Sequence, residues 1–425
     1  MEVRSLSRKV AVLGTFDTKG KEFKFLIDAI KKAGASVLSI DTGIRESPFF
    51  VPDIKKDEIA KAGGTAIDDL IKKNDRGTAI DVMTKGAVAV VSELYDNGKI
   101  DAIVSLGGTA GTTIGTTVMR ALPVGFPKLM VSTVASGDTR PYVGEKDIIM
   151  MNSIVDISGI NRISAEIITN AANAIAGMAN GPKVDIGESK PIIVATMFGV
   201  TTPCVTMAKD YLENIGYEVL VFHATGSGGR AMEALISAGL VEGVLDVTTT
   251  EWCDELVGGV LNAGPERLDA AANAGIPQVV SVGALDMVNF GPIDSVPQKF
   301  DGRNFYKHNA TVTLMRTTCE ESAQLGEIIG QKISKSKGAC ALFLPLKGIS
   351  MIDAVGMPFY GPDEDLVLFD TLKANCRPEI VQIVEIDAHI NDKEFAFAMA
   401  KKLDDLIKSK KENLRFKRLK HLTLG

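Results

Sequence analysis

Apolar residues fall in short runs without alternation: KVAVLG, SVLSI, DAIVSL and PKLMVS in the first half, then PIIVAT, EVLVF, GVLDV and PQVVSVG in the second. Each run ends at or near Gly, Thr, Ser or Asp and is followed by a stretch with helical spacing. Strands that are apolar throughout belong to parallel sheets covered on both faces, whereas a half-solvated antiparallel sheet alternates. The pattern predicts an α/β fold made of two Rossmann-like lobes, each a mainly parallel sheet with helices on both faces. The helical stretches agree. EFKFLIDAIKKAG puts Phe23, Leu26, Ile27 and Ile30 on one face and stops at Gly34; PERLDAAANAG opens on a proline and stops at Gly275.

A chain of 425 residues exceeds what one core supports, since cores stop growing beyond ~250–300 residues. The long helical pattern that begins near Gly159 runs into NGPKVDIGESKP, where Gly, Pro and polar residues precede a new strand. This predicts an N-terminal domain over 1–185 and a C-terminal domain over 186–425. The halves also echo each other. Gly14 and Asp41, at the ends of the first two runs, are as far apart as Thr196 and His223, and VGFPKLMVST shares its Gly, Pro and strand order with AGIPQVVSVG. A duplication of one topology follows. The segment from RESPFFVPDIKK to about Lys85 reads as a helical excursion between the second and third strands of the first lobe.

Composition narrows the function. With 45% apolar and 24% charged residues the chain is an ordinary globular protein. A net charge of −6 and 6% aromatic residues give neither the basic footprint nor the stacking surfaces of a nucleic-acid binder. A basic end, KKLDDLIKSKKENLRFKRLKHLTLG, reads as a solvated helix face or a patch for an acidic partner. The five cysteines are odd in number and widely spaced, and no two histidines have ligand spacing, so no metal knuckle is expected. No leader-like or membrane-length apolar run is present, which predicts a cytoplasmic protein without membrane contact.

In open α/β sheets ligands bind outside the carboxyl ends of the strands. The first lobe carries three polar loops there: Gly14, Thr15, Asp17, Thr18 and Lys19 in GTFDTKG; Gly107, Gly108, Thr109, Gly111, Thr112 and Thr113 in GGTAGTT; and Ser136, Gly137 and Asp138, with Arg140, in STVASGDTR. Glycines let backbone N–H groups approach an anion, and a helix start adds about half a positive charge. Lys19 and Arg140 offer cations, and Asp17 or Asp138 a ligand for Mg²⁺. The same glycines also suit a tight strand-to-helix turn, and GGTAGTT is neither G-x-x-x-x-G-K-[ST] nor G-x-G-x-x-G. The second lobe offers Gly226, Ser227, Gly228, Gly229 and Arg230 in HATGSGGR, Thr249 and Glu251 in VTTTEWCDE, Asp286 in GALDMVNFG, and His308 as the substrate-binding set.

The stretches GTFDTKGKE, SLGGTAGTT, the run from LPVGFPKLM to DISGIN, MFGVTTPCV, VFHATGSGGRAMEAL, GVLDVTTTE, GALDMVNFGP and HNATVTLMRTT together resemble one family. It comprises the ATP-binding N-terminal region of the tomato tobamovirus-resistance protein and its bacterial and fungal relatives. The resemblance implies two Rossmann-like domains, nucleotide binding and a homodimer. Three functions stay open: an ATP-dependent enzyme that holds a small anionic substrate between its lobes, a nucleotide-stabilised protein-binding module, and an ATP-independent lyase or isomerase acting on a phosphorylated or carboxylated metabolite.

Overall fold

The computed structural model describes residues 8–182 and 189–423. It divides into two compact units, Met1–Asp185 and Ile186–Gly425. The part of the Gly/Pro boundary segment at 183–188 lies outside the described residues.

The first unit begins β1 (Lys9–Gly14), α1 (Phe16–Lys32) and β2 (Ser36–Asp41). The excursion follows as α2 (Lys56–Ala62), α3 (Ile67–Lys73) and α4 (Arg76–Asp96). Then come β3 (Ala102–Gly107), α5 (Thr109–Ala121), β4 (Lys128–Ser132), the short α6 (Arg140–Val143), β5 (Ile149–Asn152) and α7 (Arg162–Asn180). All strand pairs are parallel, in the order β2-β1-β3-β4-β5. Two cores sandwich the sheet. On one face Phe23, Leu26 and Ile30 of α1 meet Ile168, Ala172 and Ile175 of α7. On the other, Ile59 of α2, Met83 and Val91 of α4 and Val118 of α5 cover Leu13 and Ile103. The two-sided burial explains why these strands read as unbroken apolar runs.

The second unit runs β6 (Ile192–Met197), α8 (Thr202–Asn214), β7 (Glu218–His223), α9 (Ser227–Ser237), β8 (Gly243–Thr248), α10 (Glu251–Val257), α11 (Asp269–Ala274) and β9 (Gln278–Gly283). After β9 the chain makes β10 (Met287–Phe290), β11 (Phe305–Lys307) and β12 (Thr313–Arg316), a small antiparallel sheet. It closes with α12 (Cys319–Ile333), β13 (Cys340–Pro345), α13 (Pro362–Asn375), β14 (Val381–Ile386) and α14 (Lys393–Thr423). The main sheet is parallel, in the order β14-β13-β9-β8-β6-β7. Counted from its other edge it places its second, first, third and fourth strands side by side, as the first unit does. The halves thus share a topology.

Two local expectations change. The segment PERLDAAANAG is helical only from Asp269, because Leu268 adopts a left-handed conformation (φ 76°) and Glu233 takes the amides of Leu268 and Ala270 at 2.7 Å each. The polar stretch around His308 forms β11 and its turn into β12. In the basic end, Lys408 pairs with Asp404 and Lys411 with Glu242. Among the described residues no helix is long and apolar enough to cross a membrane.

Candidate functional site

In the first sheet the chain passes from β1 outward to β2 and returns on the other side as β3, so β1 and β3 flank the point where a crevice opens at the carboxyl ends. A cavity of about 620 Å³ sits there. Four segments line it: residues 15–19 after β1, 42–45 after β2, 74–83 at the start of α4, and 107–114 where β3 turns into α5.

The β3–α5 turn sets the floor. Gly108 is the N-cap of α5 and supplies no side-chain cap. Thr112 N–H makes the first helical bond, to the Gly108 carbonyl at 2.8 Å. The amides of residues 109–111 have no acceptor among the described residues, as expected of an uncapped helix start. The glycines divide by role. A Cβ on Gly107 would lie 2.8 Å from Gly111 Cα, so this position keeps strand and helix in close approach; one on Gly108 would meet only Thr133 Oγ1, at 3.7 Å. Gly14 is also a packing residue, with the Phe23 ring where a side chain would go. Thr112 and Thr113 are spent internally: Thr112 shares a hydroxyl contact of 2.6 Å with Ser132, and Thr113 donates to the Thr109 carbonyl. Of this loop's threonines, Thr109 lines the cavity and Thr112 and Thr113 do not.

Thr15, Asp17, Thr18 and Lys19 all line the opposite wall. Lys19 leaves helical geometry (φ −131°, ψ 32°), and its ammonium donates to the Ile157 carbonyl. Asp17 Oδ2 accepts the amides of Ile44 (3.1 Å) and Arg45 (3.0 Å), and its Oδ1 is buried without a partner. Next to it Asp41 accepts the amides of Phe16 and Gly43, and burial pushes its carboxyl up. Thr42, 2% exposed, lines the cavity and its hydroxyl has no partner. The remaining lining sets the apolar side chains of Ile44, Ala79, Ile80, Met83 and Ile114 beside the polar Arg45, Asn74, Asp75 and Arg76.

Ser136, Gly137 and Asp138 lie outside this cavity. Both Asp138 oxygens accept from Arg140, at 2.9 Å each, and the pair holds the carboxyl below its ordinary range. Of the two carboxylates proposed for Mg²⁺, Asp138 is thus taken up by Arg140, whereas Asp17 keeps one buried oxygen without a partner.

The second unit's set is dispersed. The amides of Gly226 and Gly229 donate to Glu251 Oε1 at 2.7 and 3.0 Å, and Arg267 Nε donates to Glu251 Oε2 at 2.7 Å. The anion these glycines serve is the protein's own. Gly226 must be glycine: its φ is +83° and a Cβ would lie 2.4 Å from the Asn262 carbonyl oxygen. Ser227 and Gly228 belong to the first turn of α9, and Arg230 donates to the Asn262 carbonyl. Thr249 is buried and donates to Ser281 O. Asp286, fully buried, accepts from Ser350; desolvation and the nearby Asp353 push its carboxyl up to about 7. Asp365, beside Asp353 and Arg316, is pushed up to about 9 by burial first and by Asp353 second. His308 is exposed beyond β11.

Sequence reasoning passed over Thr42 to Arg45 and the start of α4. The first follows a strand end in SVLSIDTG, the same signal used for the other loops. The second depends on how the excursion docks, which no local pattern encodes.

Fold and cavity define a doubly wound α/β protein with a crevice at the carboxyl ends of the strands in its N-terminal unit. Its place among known proteins follows. The chain belongs to the UPF0261 family, matching the N-terminal domain of "Uncharacterised protein family (UPF0261)" over residues 8–184 and the C-terminal domain over residues 190–407. It is 60% identical over 402 residues to a UPF0261 protein of Clostridium tetani, covering 95% of this chain and 100% of that one. It is 40% identical to the ToMV resistance protein Tm-1(GCR237) of Solanum lycopersicum, over 93% of this chain and 55% of the tomato protein. The motif resemblance is thereby confirmed. Among solved structures, the UDP-N-acetylglucosamine 2-epimerase from Rickettsia bellii is similar over 64% of this chain and 78% of its own, with 10% identity and a TM-score of 0.23. The Methanocaldococcus jannaschii UDP-GlcNAc 2-epimerase in complex with UDP-GlcNAc and UDP gives 11% and 0.22, over 64% and 83%. At such values nothing about ligand or chemistry transfers.

Proposed function

We propose that the cavity of the N-terminal unit binds a nucleotide, ATP, with a phosphate on the first-turn amides of α5 and the base against Ile80, Met83 and Ile114, in an enzyme of small-molecule metabolism. The observation that carries this is the uncapped start of a 13-residue helix opening into a cavity that also holds Lys19, Arg45, Arg76 and an apolar wall. Free amides and the helix dipole favour an anion, and a volume of about 620 Å³ falls within the range of small-molecule sites, roughly 300–1,000 Å³.

Ala110→Glu tests it. A carboxylate in the first turn complements the helix dipole by ~0.3–1 kcal/mol while occupying the place of the phosphate. The variant should melt no lower than the parent yet lose at least tenfold in ATP affinity by calorimetry; unchanged affinity removes the site. A second reading, nucleotide binding without turnover in a protein-binding module, draws support from the lining set, which contains no His or Cys and whose two carboxylates are engaged by backbone amides. Phosphate release in the presence of metabolite pools separates the two. Mass spectrometry of the small molecule retained on purification tests the ATP-independent alternative.

A further inference from the structure

We infer that Arg45 and Arg76 are a specificity-determining pair that reads the outer phosphates of a polyphosphate ligand, and that Asp17 is the positioning residue for Arg45. This rests on the nucleotide reading of the same cavity.

One phosphate group is already provided for. The amides of residues 109–111 lack acceptors, and the Thr42 hydroxyl, on a residue 2% exposed, lacks any partner. A single phosphate has oxygens enough for the amides. The cavity nevertheless carries two further cations on separate segments, Arg45 in the β2–α2 loop and Arg76 at the first position of α4. Neither guanidinium has a hydrogen-bond or ion-pair partner among the described residues. Arg8, Arg120 and Arg140 of the same unit, by contrast, are tied to Asp101, to the Pro141 and Tyr142 carbonyls, and to Asp138. The two acids in the lining set do not reach for them: Asp17 holds the amides of Ile44 and Arg45, and Asp75 caps α4 through Thr78 N–H at 2.7 Å. A guanidinium fork matches phosphate oxygens two at a time. Two such forks beside an amide site that serves one phosphate call for a ligand with more than one.

Asp17 makes Arg45 usable. Its Oδ2 draws in two consecutive amides of the loop, and Gly43 packs so closely that a Cβ would stand 2.6 Å from the carboxylate. The loop after β2 is thereby fixed against the loop after β1 with Arg45 on the cavity wall.

The test is calorimetry on the full chain, with EDTA, titrating AMP, ADP, ATP and inorganic tripolyphosphate into the parent, Arg45→Gln, Arg76→Gln, Asp17→Asn and the Asp17→Asn/Arg45→Gln double variant. Both arginines are exposed, so folding is not at stake in their replacement. ATP affinity should exceed AMP affinity by at least about tenfold in the parent, and each arginine variant should lose about tenfold for ATP, the size of one charge-assisted contact, with AMP unchanged within about twofold. Asp17→Asn should weaken ATP in the parent and add nothing in the Arg45→Gln background, an outcome that general destabilisation would not give. Equal losses for AMP and ATP, or no loss for either, overturn the pair's role while leaving the nucleotide site standing. If no nucleotide binds but tripolyphosphate does and depends on both arginines, the pair stands and the nucleotide reading falls; if nothing binds, both fall.

Discussion

Replacing Glu251 in the second unit measures how much an internal anion contributes to the fold. Glu251 is 1% exposed; it takes two glycine amides on one oxygen and Arg267 on the other. Glu251→Gln keeps the volume but presents an NH₂ either to Arg267 or to the two amides, so a donor faces a donor in both orientations. Loss of one charge-assisted bond is worth ~1.5–3 kcal/mol. Arg267 itself is not orphaned, because Asp246 holds it through two contacts of 2.6 Å and Glu233 through a third; the full ~3–5 kcal/mol of a broken buried pair should not appear. About 2 kcal/mol is expected, which for a domain of this size shifts Tm by ~4–8 °C. Glu251→Ala should cost more and leave a hole with two free amides and a guanidinium edge. Acetate or formate should refill it: at ten times its dissociation constant a rescuing ion returns ~1.4 kcal/mol. Differential scanning calorimetry with and without 100 mM acetate, against chloride at equal ionic strength, reads both effects. A Gln variant as stable as the parent, or an Ala variant indifferent to acetate, would refute the account of this loop as an occupied anion site.

Gly107→Ala should destabilise the first unit by ~1–3 kcal/mol through overpacking against Gly111, read as a lower denaturant midpoint; Gly108→Ala, whose new methyl group meets only Thr133 at 3.7 Å, should cost less, about the ~0.5–1 kcal/mol by which glycine is preferred to alanine at an N-cap. Stability of the second unit should fall as pH rises from about 4 toward 9. Asp254 and Asp286, each pushed up to about 7, and Asp365, pushed up to about 9, keep protons in the folded state that the unfolded chain has released above about 4. Asp286→Asn should flatten the slope in denaturant titrations at pH 5, 7 and 9, and a midpoint that climbs with pH in the parent would contradict the assignment.

Uninterrupted apolar strands and their spacing make both parallel sheets legible in the sequence, because two-sided burial leaves no alternation to read. The repeat was legible too, since Gly14 to Asp41 and Thr196 to His223 mark the same β-α-β step. The sites were harder. Equal loop chemistry has unequal outcomes: the glycines of GGTAGTT leave amides open, while those of HATGSGGR are closed by Glu251, a residue that follows the next strand. Glycine announces that a backbone comes close to something, but the identity of that something is tertiary information. The same holds for Asp17, whose partners are amides 27 and 28 positions away, and for Arg76, brought to the cavity by the docking of the excursion's last helix.

One topology laid down twice has been finished in two ways. In the second half Glu251 occupies the amides of the glycine loop, so that loop should be indifferent to dissolved anions. In the first half the helix start and the Thr42 hydroxyl are left wanting, and whatever guest supplies the missing acceptors will raise the melting of that half alone. The chain should then unfold in two transitions whose separation reports how much of the guest is around.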